Sequence, residues 1–127
     1  MRVYKTKPFA RFQRRERITD ETLCAAIADA EAGLIEADLG GLIKQRVARP
    51  GSGKRDGYRT VIAYRKGMRA FFLLGFAKSA RANIDDDELA ALKRRAAGLL
   101  AAADRALDEM IADEDLTEVD CGESTQR

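Results

Sequence analysis

Arg2 to Lys5 predicts a short strand. Pro8 suits the first turn of a following helix. Phe9 and Phe12 fall on one face of that helix, with Arg11, Arg14 and Arg15 around the rest. Thr19 is a good N-cap for a second helix, and Asp20 and Glu21 in its first turn complement the helix dipole. Leu23, Ile27, Ala30 and Leu34 then recur at helical spacing. Gly33 weakens or ends this helix, and Gly40-Gly41 is a clear break.

The period then changes. Ile43, Gln45 and Val47 alternate with Lys44, Arg46 and Ala48, as in a half-buried strand. Pro50-Gly51-Ser52-Gly53 reads as a flexible loop, followed by Lys54 and Arg55. Tyr58 to Arg65 is rich in β formers, Lys66-Gly67 suits a tight turn, and the apolar run Met68 to Phe76 predicts a central strand. Asp85 is placed to cap a long helix, with Glu88 three residues on. Its apolar stripe is Leu89, Leu92, Ala96, Leu99, Ala103 and Leu107, and the pattern fades after Ile111. These elements predict an α+β domain over residues 1–112. It has a small antiparallel meander sheet, two N-terminal helices and a long C-terminal helix. Residues 113–127 are acidic and polar and are expected to form a disordered tail.

Charge sharpens the picture. The formal net charge is only +2, but its distribution is polarised. From Gly41 to Asn83, Lys44, Arg46, Arg49, Lys54, Arg55, Arg59, Arg65, Lys66, Arg69, Lys78 and Arg81 face a single acid, Asp56. From Ile18 to Gly40 there are acids (Asp20, Glu21, Asp29, Glu31, Glu36 and Asp38) and no Lys or Arg. Such segregation suits contact with a polyanion, nucleic acid first.

Other features narrow the chemistry. There is no His, which removes His as general base or metal ligand. Two isolated cysteines do not make a zinc site, and carboxylates that could gather Mg²⁺ are scarce in the basic segment, so neither metal nor cofactor is expected. GGLIKQ and PGSGKRDG both lack the spacing of a phosphate-binding loop. Cys24 and Cys121 lie far apart in sequence, the basic start lacks an apolar signal segment, and no run would span a bilayer. A reduced, cytoplasmic chain is the simplest expectation.

The runs IKQRVAR, GYRTVIAYR and FFLLGFAKSARANI, in this order of elements, resemble the RelE/ParE superfamily of bacterial toxins, and its HigB-like branch most. The resemblance covers roughly Met1 to Leu107. It implies a toxin held by an antitoxin, often of helix-turn-helix type. The superfamily contains ribosome-dependent messenger RNA endonucleases and non-enzymatic inhibitors of a topoisomerase. Residue by residue, Lys44 and Arg46 match the family's basic pair, and Arg59 matches the arginine that opens the next strand. Lys78 and Arg81 fall in the basic stretch after the following strand. Where RelE carries a functional tyrosine, this chain reads Asn83-Ile84-Asp85.

The resemblance therefore implies an endoribonuclease acting on messenger RNA at the ribosome by metal-free 2′-OH attack. Lys44, Arg46, Arg59, Lys78 and Arg81 are its candidate catalytic residues. Arg49, Lys54, Arg55 and Tyr58 are candidates for RNA binding. Lys44 and Arg46 project from one face of a strand, and pairing with the next strand would bring Arg59 alongside. Arginines would clamp the phosphate, and Lys44 is the candidate proton shuttle. An acidic antitoxin segment would be drawn to the basic stretch. Without the resemblance, simple solvation on an open sheet face accounts equally well for Lys44 and Arg46. It accounts better for the hairpin cations Arg65, Lys66 and Arg69. A ParE-like topoisomerase inhibitor, or an RNA-binding protein without cleavage activity, remains the alternative.

Overall fold

A sheet covered by helices on both faces explains why the middle of the chain is so apolar. The computed structural model describes residues 1–51, 57–80 and 83–122. In order, they form β1 (Arg2–Thr6), α1 (Lys7–Glu16), α2 (Asp20–Glu31), β2 (Ala37–Asp38), β3 (Leu42–Val47), β4 (Tyr58–Arg65) and β5 (Arg69–Ala77). Then come α3 (Asp86–Ala101), α4 (Asp104–Ala112) and β6 (Leu116–Val119). The helix starts follow the sequence signals. The Thr19 hydroxyl accepts from the Thr22 N–H at 3.1 Å, and the Asp85 carboxylate accepts from the Glu88 N–H at 2.8 Å.

The sheet is not a small antiparallel meander. It has six strands in the order β2-β3-β4-β5-β1-β6. The run β2 to β5 is antiparallel, but β1 lies parallel to β5 and antiparallel to β6. A parallel neighbour needs a long crossover, here supplied by everything between β1 and β5, and no local pattern announces it. The segment expected as a tail from residue 113 on instead supplies β6. Leu116 and Val119 are buried, and Glu118 pairs with Arg2 of β1 at 3.0 Å.

One core lies under α1 and α2, where Phe9, Phe12, Leu23 and Ile27 pack on Ile43, Val47, Ile62 and Phe72. The other lies under α3 and α4, where Leu99, Leu100 and Leu107 pack on Tyr4, Leu42, Val61 and Phe71. Strands buried on both faces read as continuous apolar runs. Gly75 of β5 lets α1 approach, because a Cβ there would stand 2.4 Å from the Phe12 ring. In the second core, Tyr4 stacks on Phe71 at 4.8 Å, yet its hydroxyl is buried without a partner among the described residues. Tyr4→Phe is therefore expected to raise stability by about 1 kcal/mol. A urea midpoint that fell instead would show that the hydroxyl is satisfied.

The single long C-terminal helix is also corrected, since it breaks into α3 and α4. Ala102 and Ala103 are extended, with ψ of 142° and 151°. Arg69, expected to be a solvated hairpin cation, causes the stop. Its Nη1 donates to the carbonyls of Leu99 at 3.1 Å and Ala102 at 2.7 Å, and its Nη2 meets Asp104 at 3.0 Å. A cation on the last carbonyls of a helix is a favourable C-terminal partner.

The cysteines give a further correction. Cys24 of α2 and Cys121, just past β6, form a disulfide across a sequence separation of 97. Sequence distance misled because β6 brings the end of the chain back beside the N-terminal helices. No helix among the described residues is long and apolar enough to cross a membrane.

Candidate functional site

The pairing of β3 with β4 builds the site. Arg46 stands directly opposite Arg59, and Lys44 opposite Val61. Because side chains alternate, Lys44, Arg46 and Arg59 all lie on the face that carries α3. Phe76 of β5 is the partner of Arg59 on its other side, and is buried. Gly57 makes the approach feasible: a Cβ there would lie 2.1 Å from the Val47 carbonyl oxygen. Only glycine fits two residues before Arg59.

Arg59 is not an exposed cation. Its side chain is 6% exposed. Its Nε–H donates to Glu36 Oε2 at 3.0 Å, and the same oxygen accepts from Arg46 Nε at 3.2 Å. Two like charges face each other across the strands, and one carboxylate between them offsets their repulsion. Arg59 Nη1 is buried with no hydrogen-bond partner among the described residues. Lys44 Nζ reaches Asn83 Oδ1 at 3.4 Å, so the loop before α3 borders the cluster.

Glu36 was not singled out from sequence, although its position is built. Its backbone N–H donates to Gln45 Oε1 at 3.2 Å. The Gln45 amide in turn donates to the carbonyls of Ala26 and Leu34 at 3.0 and 2.9 Å. Glu36 precedes a strand of two residues and shows no periodicity of its own. The one available signal was Arg59 itself, since an arginine inside an apolar strand requires an acid. An open cleft of about 530 Å³ lies beside the site, lined by Asp29, Leu34, Glu36, Gln45 and Arg46 but not by Lys44 or Arg59.

The other candidates are divided. Tyr58 is buried on the opposite face, under α1, where its hydroxyl donates to Glu16 at 2.8 Å. Burial first, and then this bond, push its pKa up. Arg49 lies over the Tyr58 ring at 5.7 Å, away from Arg59. Lys78 is exposed in the turn after β5. Lys54, Arg55 and Arg81 lie outside the described residues. Among the described residues no three His, Cys, Asp or Glu side chains gather as metal ligands.

A family model described as the RelE toxin of the RelE/RelB toxin–antitoxin system matches residues 1–119. The chain belongs to the RelE toxin family. The match runs through β6, and so takes in the whole sheet of this toxin. Membership makes it one half of a toxin–antitoxin pair, with an antitoxin as partner. No curated protein and no solved structure matches the chain.

Proposed function

We propose that this toxin is a ribosome-dependent endoribonuclease that cuts messenger RNA by metal-free attack of a ribose 2′-OH, in the manner of HigB-like members of the superfamily. The observation that carries this reading is the placement of Arg46 opposite Arg59 on one face, with Lys44 two residues along the same strand. Cleavage of this kind needs cations where the phosphorane gathers charge, a base for the 2′-OH and an acid for the leaving 5′ oxygen. Arg59 and Arg46 are the proposed phosphate clamp. The buried, partnerless Nη1 of Arg59 is a donor that a phosphate oxygen would satisfy. Lys44 is the proposed proton carrier, and Lys78 and Arg81 are proposed to complete the charge around the leaving group. Lys54 and Arg55 are proposed to guide the RNA, whereas Tyr58 is buried under α1 with Arg49 over its ring. The toxin is proposed to work in the cytoplasm and to be silenced by an antitoxin of helix-turn-helix type.

The test is cleavage of messenger RNA on purified ribosomes. Upstream fragments are expected to end in a 2′,3′-cyclic or 3′-phosphate. Cleavage is expected to survive EDTA when ribosomes are kept assembled by other means. Fragments ending in a 3′-hydroxyl would sink the mechanism. Toxicity without any cleavage would pass the case to a non-enzymatic inhibitor.

A further inference from the structure

The proposed chemistry uses the cations of β3 and β4, but what sets their geometry is the acid beside them. We infer that Glu36 is a positioning residue of the site: it holds Arg59 and Arg46 by their Nε–H groups so that their terminal nitrogens are presented together to a phosphodiester. This inference rests on the nuclease reading.

Three observations carry it. First, one oxygen, Oε2, takes both Nε–H groups, at 3.0 Å from Arg59 and 3.2 Å from Arg46. Guanidinium is planar and rigid, so fixing Nε fixes the plane and the direction of both terminal nitrogens. Second, Arg59 Nη1 lies on the other side of the guanidinium from Nε–H, and is buried and unpartnered among the described residues. A donor shielded from water and bonded to nothing is an unusual arrangement in a folded protein. Glu36 meets Arg59 through Nε–H, and leaves Nη1 to another acceptor. Glu36 therefore orients the clamp and does not occupy it. Third, Glu36 is itself held, through its backbone N–H and the Gln45 amide, to the carbonyls of Ala26 and Leu34. The chain runs from α2 through Gln45 to Glu36 and then to the two arginines. A clamp so supported keeps its geometry before substrate arrives, which is what electrostatic stabilisation of a transition state requires.

The test compares wild type with Glu36→Ala, Glu36→Gln and Glu36→Asp in single-turnover cleavage on programmed ribosomes, with the ribosome concentration for half-maximal rate measured alongside. Glu36→Ala is expected to lower the maximal rate on the order of 10²-fold, the cost of a misplaced group, with the half-maximal concentration changed less than about threefold. Glu36→Gln, which keeps an acceptor for Nε–H, is expected to recover part of the rate and to melt close to wild type. Because Glu36→Ala would strip Arg59 of its buried partner, the folded Glu36→Gln and Glu36→Asp proteins carry the decision. A variant that cuts as fast as wild type, or faster, would overturn the inference, the latter by showing that the carboxylate competes with phosphate. The Arg59 Nε–H resonance, assigned with Arg59→Lys, gives an independent readout. It is expected to exchange slowly with solvent in wild type and faster in Glu36→Ala. Fast exchange in wild type would overturn the positioning role even if the toxin cleaves RNA. Slow exchange in a toxin that does not cleave would uphold the contact and overturn the nuclease reading.

Discussion

Arg59→Ala is expected to lower messenger RNA cleavage on the order of 10²-fold or more, the loss that follows when a donor to a developing oxyanion is removed. The effect is expected in the maximal rate more than in ribosome affinity, since many other cations contribute to the latter. Arg59→Ala is also expected to cost stability, unlike the change of an exposed cation. The side chain is 6% exposed, and Glu36 would keep only Arg46. Breaking a buried pair by deleting one partner costs about 3–5 kcal/mol. The lower end is expected here, because Arg46 remains bonded to the carboxylate. Arg59→Lys separates the two effects. It retains the charge but lacks the planar fork, so it is expected to melt closer to wild type and still cut slowly. Thermal melts and single-turnover rates on the same preparations check this. A folded Arg59→Ala protein that cuts at the wild-type rate would remove Arg59 from the mechanism.

The second large effect concerns the disulfide. Cys24 and Cys121 close a loop with a sequence separation of 97. Constraining a loop of about 100 residues is worth up to ~4.7 kcal/mol on the chain-entropy account. Domains of this size have only about 5–15 kcal/mol in all. The Cys24→Ala/Cys121→Ala double variant, or wild type in reductant, is therefore expected to lose about 4–5 kcal/mol. Alanine suits both positions, because Cys24 and Cys121 pack against the core under α1 and α2. Urea unfolding with and without dithiothreitol checks this as a shift in midpoint. Identical midpoints would mean that the crosslink adds nothing. The matter bears on function because the cytosol keeps thiols reduced. A toxin acting on ribosomes there would fold on its packing alone.

What could be read from the residues was local. Thr19 and Asp85 announced their helices, and the alternation at Lys44 and Arg46 put both on one face. Arg59 was implied by the resemblance, from its place at the head of a strand of β formers. Its burial was not, because that depends on Glu36, on Phe76 and on a register that spans three strands. The break between α3 and α4 was equally hidden. Nothing in Ala101 to Asp104 ends a helix, and the carbonyls of Leu99 and Ala102 are held by Arg69, thirty or more residues away. Partners distant in sequence accounted for every miss: β5 for β1, β6 for a presumed tail, and Cys121 for Cys24.

The position of β1 has a consequence for how the toxin is made. Among the described residues it is the first strand in sequence, yet its neighbours in the sheet are β5 and β6, and β6 is the last strand. A chain still in synthesis carries an N-terminal strand with both edges open, and the helices that follow have only part of a sheet to pack against. Folding domain by domain from the N-terminus is closed to it. The six-stranded sheet is complete only after residue 119 is free. An antitoxin that reads the finished sheet would therefore bind the released toxin and not the nascent chain.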